Sequence, residues 1–467
     1  MTLTFESDDS RYIAELAEYV AIPSVSRDGD PATLRRAAEW IASRIDFADP
    51  QIVETGGHPA VVGAWLGAPG APTVLVYGHY DVQPTGSLDE WKTPPFELTS
   101  YVDEATGEQR LRGRGSADDK GPVYLVVETC RQFLAQEGAL PCNLRFLFEG
   151  EEEIGSPHLA SYVRAHADEL GADLVISADG AQWRPDEPSL SVASKGLLAL
   201  DVTVTGANRD LHSGRYGGTV ANPIHALTSL LATMHDEEGR ITVDGFHDGI
   251  PALTDERLAE VDAVAFDEEA YRADLDVPAL HGEPGLSTLA RLWTQPTLEI
   301  NGITGGGSYT VIPHTASAHI TCRLVPGQHP DAVRAAIEAH VAAHTPAGVR
   351  TEIHVEGGAV PAYTIDPAHP GIQIARDALE QVYPGEEVLL AVIAGTLPAT
   401  VLFEEALGAK TMFFSFALAD EWHHAPNEFF RARRLREGMR AWEILLRGLG
   451  AAENLGAAAL VTAGAEN

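Results

Sequence analysis

Cysteine is nearly absent. Cys130, Cys142 and Cys322 are the only three in 467 residues, and no C-x-x-C pair occurs. That excludes a disulfide framework and a thiolate metal site, and points to reduced thiols in a reducing compartment. Lysine is almost as scarce, standing only at 92, 120, 195 and 410, and the formal net charge is −36. Nucleic acid, which needs clustered Lys and Arg, is excluded as a partner, and the acidic excess reads as a solvated surface. No apolar run is long enough to span a bilayer. The opening Met1-Thr2-Leu3-Thr4-Phe5-Glu6 lacks the basic start of a secretory leader. A cytoplasmic protein with no membrane partner is the expectation.

The hydrophobic fraction is an ordinary 45%, and the length exceeds what one core fills, so two domains are expected. Helical spacing marks 10–22 and 33–47, with Ile13, Leu16, Ala17 and Val20 on one face of the first. Apolar runs then alternate with helical stretches at Pro122–Glu137 and Ser156–Leu170, the pattern of an α/β domain: a mostly parallel sheet with helices on both faces. Near Lys195 the texture changes. Leu198, Leu200, Val202 and Val204 alternate with Ala199, Asp201, Thr203 and Thr205, and Ala316, Ala318, Ile320, Cys322 and Leu324 alternate with Ser317, His319, Thr321 and Arg323. With helices expected at Pro223–His235 and Pro330–His344, this predicts an inserted α+β domain. The boundaries read 1–194 for the first part of the catalytic domain, 195–361 for the insertion and 362–467 for the second part. In that last part a helix near Gly371–Val382 is followed by apolar segments at Val388–Ile393 and Lys410–Phe416, and the Ala- and Gly-rich tail from about 451 reads as frayed.

Chemistry concentrates where apolar runs end. Thr73-Val74-Leu75-Val76-Tyr77 leads into His79-Tyr80-Asp81. Leu144-Arg145-Phe146-Leu147-Phe148 leads into Glu149-Gly150-Glu151-Glu152-Glu153, and Asp173-Leu174-Val175-Ile176 into Ser177-Ala178-Asp179. Parallel sheets place their sites at the carboxyl ends of strands. Imidazole mixed with carboxylate, without thiolate, suits zinc or manganese. The loop Arg112–Gly121 adds Asp118 and Asp119 just before a helix, a weak signal alone because acids there commonly cap helices.

Taken together, these stretches resemble the M20-type metallopeptidase family, which contains carnosinases, cytosolic nonspecific dipeptidases, acetylornithine deacetylase and succinyl-diaminopimelate desuccinylase. The resemblance is carried in order by Gly78–Pro84, Gly113–Gly121, Glu149–Ser156, Asp210–Gly214 and His424–Glu428. The long insertion looks more like the dipeptidase branch than the deacetylases. What it implies is a metal-dependent hydrolase of amide bonds in short peptides, a dipeptidase using a metal-bridging hydroxide and a Glu general base. Two divalent ions per subunit are implied, zinc first, with manganese or cobalt as alternatives.

His79 and Asp179 would hold one ion, Glu153 and His424 the other, and Asp118 would bridge them, since two cations about 3.5–4 Å apart need shared anionic ligands. Asp81 matches the position that hydrogen-bonds the other nitrogen of the ligand imidazole. Chemistry alone does not choose among Glu151, Glu152 and Glu153; the family spacing E-G-x-E-E-x-G-S makes Glu152 the general base and Glu153 the ligand. The spacing H-x-x-N-E likewise selects His424 over His423. The resemblance further implies a cis peptide after Asp118. It implies a homodimer through the inserted domain, with His212 reaching the partner's site as an oxyanion donor. Thr310 and Arg323 match positions holding the terminal carboxylate of the substrate, a task suited to the guanidinium fork.

One departure stands out. Dipeptidases of this family often read R-E-G-G-S-I-P where this chain has Val392-Ile393-Ala394-Gly395-Thr396-Leu397-Pro398. Thr396 still offers a hydroxyl for substrate binding, but the Arg and Glu are gone. The alternative function this leaves open is an N-acyl-amino-acid amidohydrolase working by the same chemistry.

Overall fold

The strand Thr73–His79 lies inside a six-stranded sheet, and every residue from Val74 to His79 is buried. Successive side chains of a strand point to opposite faces, so burial at each position means that both faces are covered. This is the computed structural model of the protein, and it describes residues 2–393 and 395–455. The sheet order is Gln51–Val53, Ala60–Trp65, Asn143–Glu149, Thr73–His79, Leu174–Ser177, Thr411–Phe413. The last four run parallel, with Val76 opposite both Phe146 and Ile176. Ala60–Trp65 is antiparallel to its neighbours on each side, so the sheet is mixed and mostly parallel. Parallel direction puts the carboxyl ends of Thr73–His79, Asn143–Glu149 and Leu174–Ser177 along one edge.

Helices with local reasons for their ends cover this sheet. Pro31–Arg44 starts at Asp30, whose side chain accepts from the Ala32 amide, with proline in the first turn. Lys120–Glu137 stops at Gly138, which takes a left-handed φ of 74°. Arg433–Gly450 packs on it closely enough that a Cβ at Gly438 would meet Leu125. The apolar positions Leu435, Met439, Trp442 and Leu446 of that last helix recur at helical spacing and are buried, Trp442 meeting Phe414 edge-on at 5.1 Å. The helix expected over Ser156–Leu170 is two helices, Leu159–Ala165 and Ala167–Leu170. A turn at Pro157 and His158 replaces its start, and His166 leaves helical geometry with φ −118° and ψ 24°.

The chain divides into two compact units. The first comprises the residues up to Val192, Ile365–Ala391, and those from Leu397 on; the second comprises Ala193–Thr364 and Val392–Thr396. The short stretch 392–396 goes with the second unit because the Lys195 amide bonds the carbonyls of Ile393 and Gly395. In the second unit the antiparallel order is Thr297–Gly305, Thr315–Leu324, Gly196–Thr205, Arg350–Val355. Burial alternates strictly along the two central strands. One face buries Leu200, Val202, Ile320 and Cys322 with Leu227 and Leu230 of the helix Pro223–Leu231 and Val333 and Ile337 of the helix Pro330–His344. The other face carries Asp201, Thr203, Ser317 and His319, with Thr203 and Ser317 hydroxyls 2.9 Å apart. Residues from Glu299 to Gly305 on the edge strand are exposed. The three cysteines are free and buried. Ala451 closes the last helix; the tail from 456 lies outside the described residues. No helix among the described residues is long and apolar enough to cross a membrane.

Candidate metal centre

His79 is the last residue of its strand and fully buried. Gly78 before it is packed so tightly that a Cβ would meet Val123 and Asp119. The ring Nδ1 lies 3.1 Å from the main-chain oxygen of Asp81 and 3.4 Å from Asp81 Oδ1. Nε2, aimed the other way, lies 3.1 Å from Asp118 Oδ1. The Asp118–Asp119 peptide is cis.

The acidic turn after Asn143–Glu149 is equally constrained. A Cβ at Gly150 would run into the Tyr80 phenol, and Gly155 closes the 3₁₀ turn with φ 86°. The Asp81 carboxylate accepts from the amides of Glu152 at 3.2 Å and Glu153 at 3.1 Å. It therefore ties the imidazole strand to the acidic turn as well as facing Nδ1. His424 has a left-handed φ of 60°, and its Nε2 lies 3.0 Å from Asp118 Oδ2 and 3.2 Å from Glu153 Oε2. Asp179, two residues past Leu174–Ser177, accepts from the Gly180 amide at 2.5 Å.

These side chains form two triads with a common member. Ligating atoms of His79, Asp118 and Asp179 all lie within 4.8 Å of one another, and so do those of Asp118, Glu153 and His424. Asp118 offers one oxygen to each imidazole. Glu152, the fourth acid, has Oε2 4.0 Å from His79 Nε2. All five expected ligands thus converge.

The electrostatics fit cations. Burial first, then neighbouring carboxylates, pushes Glu152 well above the ordinary carboxylate range. Burial likewise raises Glu153 and Asp179, aided by Asp118. Asp118 is the exception. Burial acts against its charge, yet hydrogen bonds from His424 and His79 hold it well below the usual value. His424 is lifted to about 10 by its bonds to Asp118 and Glu153. A buried group of acids faced by the imidazoles of His79, His424 and, more remotely, His423 has a charge deficit that divalent cations relieve. Imidazole nitrogens and carboxylate oxygens are donors that zinc, manganese and cobalt accept.

The remaining expected residues lie in the second unit. His212 is exposed, ends the strand Leu211–His212, and accepts at Nδ1 from the Gly214 amide. Thr310 is its neighbour: the Ser213 amide bonds the Thr310 carbonyl at 2.9 Å. Arg323 Nη1 donates to Thr396 Oγ1 at 3.0 Å, which in turn donates to the Lys195 carbonyl at 2.6 Å. Two side chains assigned to substrate binding are therefore joined. Ala394, in the departing stretch, lies outside the described residues.

Several residues that sequence reasoning passed over complete the first unit's site. Gln83 holds the Glu153 carboxylate through its amide at 3.1 Å and its Nε2 at 2.9 Å. Lys120, fully buried, donates to the carbonyls of Tyr19 and Ile22. Glu428 accepts from the loop that carries Asp118. A third grouping, Asp201, His319 and Glu356, sits on the polar face of the second unit's sheet. It is half-exposed, and the 2.9 Å contact of His319 with Asp201 accounts for it as a surface pair.

Residues 75–448 match the family model described as peptidase family M20/M25/M40. Among curated relatives, the Cys-Gly metallodipeptidase of Saccharomyces cerevisiae is 28% identical over 96% of this chain and 98% of its own length. The Beta-Ala-His dipeptidase of Homo sapiens is 30% identical over 92% of this chain and 88% of its own. Among solved structures, a metallo-carboxypeptidase of the M20 family from Sulfolobus solfataricus superposes with a TM-score of 0.81 at 28% identity. That match covers 95% of this chain and 99% of the other.

Proposed function

The chain belongs to peptidase family M20/M25/M40, and from that footing we propose that it is a metal-dependent dipeptidase acting on short, unblocked peptides. The observation that carries this reading is the pair of triads sharing Asp118, with Glu152 beside them. Two divalent ions, zinc first and manganese or cobalt otherwise, would be held by His79, Asp118 and Asp179 and by Asp118, Glu153 and His424. When bound, such a pair polarises the scissile carbonyl and lowers the pKa of attacking water.

The protein's own groups do the rest. Glu152, as carboxylate, takes a proton from the attacking water at a carboxylate oxygen and passes it to the departing amine. Asp81 keeps His79 and the acidic turn in register. Arg323 holds the terminal carboxylate of the peptide, presenting a guanidinium oriented by the Thr396 hydroxyl, whose own proton goes to the Lys195 carbonyl. Thr310 stands beside His212 and assists at the same carboxylate. The second unit serves as lid and dimerisation domain of a cytoplasmic homodimer, and His212 donates to the oxyanion across the interface. The exposed edge Glu299–Gly305 and the exposed position of His212 support that assignment.

The test is a side-by-side assay, with manganese or zinc supplied, of unblocked dipeptides against N-acyl amino acids of the same side chains. Preferential cleavage of the dipeptides is expected. Preference for the acylated series would replace this reading with the amidohydrolase.

A further inference from the structure

We infer that Glu428 is the positioning residue that sets the geometry of one half of the metal centre, the half made by Asp118, Glu153 and His424. Its carboxylate is fully buried and takes four donors. Oε1 accepts from the amides of Ala117 at 3.0 Å and Asp118 at 3.2 Å; Oε2 accepts from the Gly115 amide at 3.0 Å and Arg114 Nη1 at 2.8 Å. Two carboxylate oxygens offer about four lone-pair sites, so the acceptor capacity is used up. Gly113 also donates to the Glu428 carbonyl at 3.0 Å. The next residues, Phe429–Arg431, pair with Gln109–Arg112. The segment that begins at His424 is thereby fastened along the loop that ends at Asp118.

The fastening extends to the third ligand. Arg114, itself 1% exposed, uses its other arm on the Pro84 carbonyl at 3.1 Å. The adjoining Gln83 grips both oxygens of Glu153. All three ligands of this half are therefore within one or two bonded steps of the Glu428–Arg114 pair. Of the other half, Asp118 is shared and His79 is reached only through the Asp118 carboxylate, whereas His424 also rides on the segment that Glu428 anchors; His79 and Asp179 are otherwise set by the ends of their own strands. A buried carboxylate bonded to three main-chain amides and a guanidinium does not tolerate an amide in its place. Glutamine would turn an NH₂ toward donors and leave a buried charge on Arg114 without its partner.

The consequence is a selective loss. Residues that orient metal ligands typically cost 10–100-fold in metal affinity when altered. The experiment loads chelated, folded protein with buffered Zn²⁺ and counts ions bound by equilibrium dialysis. Circular dichroism confirms that Glu428→Gln keeps the wild-type fold. The variant is expected to bind one equivalent as wild type does and the second at least tenfold more weakly. Peptide KM at saturating metal should stay unchanged. Two equivalents held with wild-type affinity, or both weakened alike, overturn the inference. If Glu428→Gln does not fold, Arg114→Lys carries the same expectation and the same contrary results, because lysine keeps the charge but not the two-armed reach. The inference rests on the two-ion reading of the site. Wild-type protein that binds fewer than two ions refutes that reading separately, whatever the variant does.

Discussion

Asp118 and His424 stand 306 positions apart in the chain, yet His424 Nε2 lies 3.0 Å from Asp118 Oδ2. His79, 39 positions before Asp118, lies 3.1 Å from the other oxygen of the same carboxylate. One side chain thus faces two imidazoles brought in by separate parts of the sheet domain. That geometry suits a bridging ligand, with Glu153 beside His424 and Glu152 beside His79.

Glu152→Gln should keep both metal equivalents and bind peptide, while kcat falls by about 10²–10⁴-fold, the usual contribution of a general acid–base. Glu153→Ala should lose affinity for one equivalent. Metal analysis of both purified variants checks this; metal lost from Glu152→Gln and kept in Glu153→Ala would mean that the two roles are exchanged.

If His212 acts on its partner's site, inactive His212→Ala and inactive Glu152→Gln proteins should regain activity when mixed. One site of the mixed dimer then has an intact Glu152 and receives an intact His212. Subunit exchange is verified with a tag on one variant. Exchange without recovered activity would confine His212 to its own chain.

Lys195 is only 3% exposed, and burial, with Arg323 nearby, brings its pKa down to about 8 from 10.5. Between those values the unfolded chain binds the proton more readily, so this group's contribution to stability rises as pH increases from about 8 to 10.5. Lys195→Met should raise the melting temperature at neutral pH, and the difference from wild type should shrink toward pH 10.5. The full span corresponds to on the order of 3 kcal/mol. A difference independent of pH would show that Lys195 is not held against its charge.

The ligand-bearing strand ends were legible because their signals are local. Thr73–His79 is a buried apolar run meeting an imidazole, and the alternation in Gly196–Thr205 states its own half-burial. Assigning the five ligands needed more: chemistry left three adjacent glutamates and two adjacent histidines undecided, and family spacing chose among them. What sequence reasoning missed depends on distant partners. Nothing near Glu428 tells that it will bond amides 310 to 313 positions away, and Lys120 looks like any helix-start lysine until Tyr19 and Ile22 supply its acceptors. The helix Arg433–Gly450 is a different case. Leu435, Met439, Trp442 and Leu446 carry the helical period plainly, and the signal was there to be read.

The central claim is that paired divalent ions at the Asp118 centre drive hydrolysis of unblocked dipeptides. Its most direct test removes the metal by chelation, then returns Zn²⁺ or Mn²⁺ in counted equivalents while dipeptide cleavage is followed. The account predicts no cleavage by the chelated protein and full recovery at two ions per chain. It also predicts no recovery in Asp118→Asn, which should bind neither ion tightly. Undiminished cleavage after complete metal removal, or full recovery of Asp118→Asn, would contradict it.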